Sequence, residues 1–163
     1  MLRLILCFLL ISGSAFAQVQ PPAEKIKKDI ESLQNGVNDV VGTTIPGFGL
    51  LQGAKGTYLD GYGVVVTVEV ALEPPRNPFT GIRSPAEVRT AVNKHRKDIV
   101  EKLTALLKQR APALESVGAA EAATVIVYIL NTNPADVPDL PAQLVFTAKK
   151  DPAVGSVSLR EYK

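Results

Sequence analysis

The chain has 163 residues, of which 18 are basic and 16 acidic, so its net charge is close to zero. That balance excludes the strong single-sign footprint of a dedicated nucleic-acid or anionic-membrane binder, while leaving room for a local excess on one surface. One cysteine, Cys7, and one histidine, His95, exclude a disulfide scaffold and the usual thiolate or imidazole metal sets.

Residues 1–17 read as a secretory signal peptide. Arg3 gives a short positive start, an apolar run follows over 4–11, and Ala15-Phe16-Ala17 supplies a small-x-small cleavage site. The run is shorter than the roughly 20 apolar residues that a bilayer span needs, so no permanent membrane anchor is expected. Cys7 lies inside that run, behind Leu6, which argues against lipidation. Cleavage after Ala17 would remove Cys7 and Arg3 and leave a single domain at 18–163, with a polar, proline-bearing lead-in. No Asn-x-Ser/Thr acceptor is present, which fits a periplasmic or secreted bacterial address.

The first helix is predicted over 23–41. Ile26, Ile30, Leu33, Val37 and Val40 recur at helical spacing on one face, with Lys25, Lys27, Lys28, Asp29 and Glu31 on the other. Gly42 reads as its stop, and Gly36 as an interior weakness costing about 1 kcal/mol against alanine. Residues 42–63 are rich in glycine and contain Pro46. Asp60-Gly61 predicts a two-residue type I′ hairpin turn, pairing Leu59 with Tyr62, Tyr58 with Gly63 and Thr57 with Val64. Continued, that register sets Lys55 beside Val66 on an apolar face unless Gly56 bulges. The first arm is therefore expected to be short, over 56–59.

The longest strand signal follows at 64–72. Val64, Val66, Val68, Val70 and Leu72 alternate onto one wholly apolar face, where burial contributes roughly 1.5–3 kcal/mol per side chain as an upper estimate. Glu73-Pro74-Pro75 ends it. Ser84-Pro85-Ala86-Glu87 is a capping box with proline at the first helical position, opening a helix to Arg110. Val88, Val92, His95, Ile99, Leu103 and Leu106 share its apolar face, and Asp98 and Lys102 are spaced for a surface pair. Residues 123–130, rich in β-branched side chains, read as a buried strand, and 143–149 as another. From Asp151 onward the tail is read as possible helical turns, one opening at Asp151-Pro152 and one at Ser158. The predicted fold is α+β, with two amphipathic helices packed on one face of a small, mainly antiparallel sheet of about four strands. The step from 64–72 through the second helix to 123–130 admits either an antiparallel neighbour or a parallel crossover.

Taken together, the N-terminal segment, the Tyr58-Leu59-Asp60-Gly61-Tyr62-Gly63 turn running into a valine-rich strand, the long charged helix and the strand ending Val145-Phe146-Thr147-Ala148-Lys149-Lys150 resemble a family of uncharacterised exported bacterial proteins. The resemblance implies an exported α+β domain and carries no activity.

No catalytic set, metal set or cofactor loop is assigned. His95 lies on an apolar helix face, as a packed histidine would, and no Gly-x-Ser-x-Gly elbow accompanies it. Gly53-Ala54-Lys55-Gly56-Thr57 lacks the Lys-Ser/Thr step and the following helix of a phosphate loop. Asp60 and Glu69 read as a turn former and a solvated strand charge, and the basic residues around Lys94, Arg96 and Lys97 as a solvated helix face diluted by Asp98 and Glu101. Phe48, Tyr58, Asp60 and Tyr62 are the candidate binding residues, in a contact surface spanning 47–63. The leading expectation is an exported non-enzymatic domain that contacts another exported protein or an envelope component, and not nucleic acid. The alternatives are a small hydrolase or lyase using carboxylates with His95, and an assembly subunit that pairs edge strands.

Overall fold

The computed structural model describes residues 21–75, 83–130, 132–151 and 157–163. The expected signal segment at 1–17, the expected lead-in up to residue 20, residues 76–82, residue 131 and the predicted turn at Pro152 lie outside the described residues. Within them, two helices cover one face of an open five-stranded mixed sheet. The elements are α1 (Ala23–Thr44), β1 (Leu50–Leu59), β2 (Gly63–Ala71), α2 (Pro85–Arg110), a short 3-10 turn (Ala111–Ala113), β3 (Ala122–Leu130), β4 (Gln143–Lys149) and β5 (Ser158–Tyr162). Spatial order follows chain order, from β1 at one border to β5 at the other. Three pairings are antiparallel; β2 and β3 run parallel, joined through α2. No helix of the described residues is long and apolar enough to cross a membrane.

The valine face of β2 is the centre of the core, as its alternation predicts. Val64, Val66, Val68, Val70 and Leu72 are all buried, meeting Leu33, Val37 and Val41 of α1 and Val92, Ile99 and Leu103 of α2. Phe146 and Leu144 of β4 and Val125 and Val127 of β3 complete the same layer. In α2 the Ser84 hydroxyl accepts from the Glu87 amide, and the Glu87 carboxylate accepts from the Ser84 amide at 2.8 Å, closing the predicted capping box. That contact holds the Glu87 carboxyl below the usual glutamate range.

Several expectations need correction. The sheet has five strands because the tail forms β5 and not a helical turn: Leu159 comes opposite Phe146 and packs against the core. The hairpin turn is one residue longer than predicted. Leu59 faces Gly63, Tyr58 faces Val64, and the Tyr62 amide donates to the Leu59 carbonyl across Asp60-Gly61-Tyr62. Gly63 explains the shift. Its φ of 109° is glycine territory, and a Cβ there would lie 2.2 Å from the Ala122 carbonyl oxygen. With the register moved by one, Lys55 comes opposite Thr67 on the face away from the helices, so β1 continues for ten residues without a bulge at Gly56. Its irregularities fall instead between Leu50 and Lys55.

In α1, Gly42 does not stop the helix, which ends at Thr44, and the helix runs unbroken through Gly36. Gly36 is buried where Leu106 of α2 crosses: a Cβ would come within 2.8 Å of Leu106 Cδ1. Leu107, not Leu106, is the fully buried residue of that turn. Asp29 is also misplaced by the helical pattern, because it is buried and not solvated. Its Oδ2 accepts from the Ser116 amide at 2.6 Å and the Ser116 hydroxyl at 2.7 Å, tying α1 to the segment after α2. Asp98 pairs with Lys94 at 3.9 Å.

Candidate functional site

The strand registers lay out the helix-free face of the sheet row by row. One row crosses all five strands as Thr57, Val65, Thr124, Thr147 and Ser158, four of them hydroxyl-bearing. The next carries Lys55, Thr67, Ile126, Val145 and Arg160, with cations on the two border strands. The row beyond carries Gln52, Glu69, Tyr128, Gln143 and Tyr162. Alternation puts these side chains opposite the core, and neither helix of the described residues covers them.

This face gathers most of the large apolar groups exposed to solvent. Leu59, Tyr62, Tyr128, Leu130 and Tyr162 are 39–48% exposed. Three of the four tyrosines in the chain are among them. The Tyr62 hydroxyl lies 3.3 Å from Thr124 Oγ1, which seats its ring over the hydroxyl row.

A second feature sits at the end of the sheet where β2 and β3 begin. A cleft of about 500 Å³ is lined by Tyr58, Asp60, Glu115, Gly118, Glu121 and Lys150, among others. Glu121 organises its wall. One oxygen accepts from the Tyr58 hydroxyl at 2.9 Å and the Gly61 amide at 3.1 Å, and the other from the Gly118 amide at 2.7 Å. Burial, the hydrogen bond to Glu121, and the negative charges of Glu121 and Asp60 together push the Tyr58 phenol up to about 12. Glu115 is held below the usual glutamate range, first by its hydrogen bond to Lys25 and then by the charges of Lys25, Lys28 and Lys150. Lys150 Nζ donates to the Val117 carbonyl at 2.9 Å. The polar groups of the cleft are thus largely engaged with one another, which makes it a latch between the hairpin turn and the start of β3.

The four candidate binding residues are dispersed by the fold. Tyr58 and Asp60 line the cleft, and Tyr62 stands on the helix-free face. Phe48 lies at the opposite end of β2, about 30 Å away at roughly 3.3 Å per residue, in edge contact with the His95 ring. His95 Nδ1 lies 2.8 Å from the Leu72 carbonyl oxygen, which can only accept, so Nδ1 carries the proton. Among the described residues no carboxylate hydrogen-bonds to His95, and no group of three or more His, Cys, Asp or Glu side chains is placed to hold a metal ion.

Sequence reasoning missed Tyr128, Tyr162 and Glu121. Reading 123–130 as buried on both faces hid the alternation of Tyr128 and Leu130 with Val127 and Ile129, the signal that would have exposed Tyr128. Glu121 has one local partner, the Gly118 amide, but the two that tie it to the hairpin, Tyr58 and Gly61, lie about sixty residues earlier. No family model, curated protein or solved structure matches the chain.

Proposed function

We propose that the chain is an exported binding domain that works through the helix-free face of its sheet, without catalysing a reaction. The observation that carries this reading is the concentration of exposed tyrosine and leucine on that face, where a folded chain normally places polar side chains. Export rests on the sequence of residues 1–17 alone. The contact surface differs from the 47–63 segment expected at first: it shares Leu59 and Tyr62 with it and extends across β3 and β5.

The two alternatives receive less support. His95 is engaged with a backbone carbonyl and Phe48, and among the described residues no carboxylate hydrogen-bonds to it as a hydrolase or lyase pair would need. Strand pairing along β1 meets an obstacle at Ala54. Gln34 Nε2 donates to the Ala54 carbonyl at 2.9 Å, and the Ala54 amide donates to Asn38 Oδ1 at 2.8 Å, so α1 holds both backbone groups at mid-strand.

A photo-crosslinking residue placed in turn at Tyr128, at Tyr162 and at Lys102 tests the reading. Adducts with envelope material are expected from the two sheet positions and not from Lys102, which is exposed on α2. Adducts from Lys102 alone would sink it.

A further inference from the structure

Resting on the reading of the helix-free face as the contact surface, we propose that its ligand is an extended anionic polysaccharide. It would lie across the strands over Tyr128 and Tyr162, with its acidic groups drawn to Lys55 and Arg160 in the neighbouring row. The spacing is the first argument. Tyr128 on β3 and Tyr162 on β5 occupy one row with Gln143 of β4 between them. Two strand intervals separate them, about 9.6 Å, longer than one sugar ring and suited to alternate rings of an extended chain. A tyrosine ring offers an apolar face to the C–H face of a sugar, and its hydroxyl remains available at the edge. Gln143 supplies both donor and acceptor between the two rings, which is what a row of sugar hydroxyls requires.

Charge gives the second argument. Lys55, Lys149 and Arg160 occupy helix-free positions by register, all three are exposed, and none is in an ion pair among the described residues. Glu69 is the only carboxylate in these rows. A nearly neutral chain therefore carries a local positive excess on its tyrosine-bearing face.

Other partner classes fit less well. The apolar strip of Ile126 and Val145 is narrow and bordered by the hydroxyl row, short of the contiguous apolar centre typical of a protein interface. The cations stand apart, with Glu69 beside Tyr128, and not as the continuous basic track that follows a nucleic-acid backbone.

The test titrates the full chain with polygalacturonate, a neutral cello-oligosaccharide and oligo(dT), by calorimetry at two salt concentrations. Polygalacturonate is expected to bind best, and more weakly at the higher salt. The double variant Tyr128→Ala/Tyr162→Ala should weaken binding by about tenfold or more through loss of the stacking faces. Lys55→Gln/Arg160→Gln should weaken it by about fivefold and reduce its salt dependence, whereas Lys102→Gln on α2 should leave it unchanged. Thermal melts of each variant separate loss of ligand from loss of fold. Equal binding of the neutral sugar, tighter binding of oligo(dT), or an equal loss in Lys102→Gln would overturn the proposal. If no polysaccharide binds while crosslinks still arise from Tyr128 and Tyr162, the ligand class is wrong and the contact surface stands. If both fail, the surface itself is wrong.

Discussion

The two faces of the sheet are built from the same strands by the same alternation, yet they differ in what they do. Phe146 and Val145 are neighbours in β4; one is fully buried beneath the helices and the other is half-exposed on the helix-free side. The covered face holds the fold together through aliphatic packing, with the buried carboxylate of Asp29 tying α1 to the segment after α2. The open face carries hydroxyls, cations and tyrosines, with Thr124 buried beneath them. On the proposed reading, stability and recognition are separated by the direction in which a side chain leaves its strand.

The largest expected effect tests that separation directly. Phe146→Ala should cost about 3–5 kcal/mol, whereas Val145→Ala, one residue earlier, should cost well under half as much. Urea denaturation of both variants reads the contrast, and equal losses would break it. Next in size is Asp29→Ala, which strands the buried Ser116 amide and hydroxyl; a loss of about 2–3 kcal/mol is expected in the same assay. The smallest effect concerns the cleft. Tyr58 has a folded value near 12 against an unfolded value near 10, so the neutral phenol is favoured in the native state. Its contribution is complete below pH 10 and is lost as pH rises from 10 to 12. Across that window Tyr58→Phe should lose stability less steeply than the parent chain, measured by melting at each pH. Identical slopes would show that Tyr58 ionises freely.

Signals carried by neighbouring residues were legible in the sequence, and signals carried by distant ones were not. The alternation of Val64 to Val70 and the Ser84-Glu87 box are local patterns, and both appear in the structure as read. The α+β class followed from them. Asp29 looked like one more charge on a polar helix face, since its partner Ser116 is 87 residues away. The hairpin register turned on one residue, Gly63, whose conformation and contact with Ala122 belong to the parallel pairing and not to the turn. β5 is short and mostly polar, and only its pairing with β4 makes it a strand. The helix-free face was out of reach for the same reason: its tyrosines come from separate elements and become one surface only after β3, β4 and β5 are aligned.

The grip of Gln34 and Asn38 on Ala54 has a consequence for self-association. One border of the sheet is locked at its midpoint by amide side chains, while β5 forms the other border among the described strands. A ribbon that can be extended from a single margin has no second margin from which to continue. Two copies joined through β5 would then meet, at mid-strand on β1, backbone groups already taken by two residues of a helix that belongs to the core.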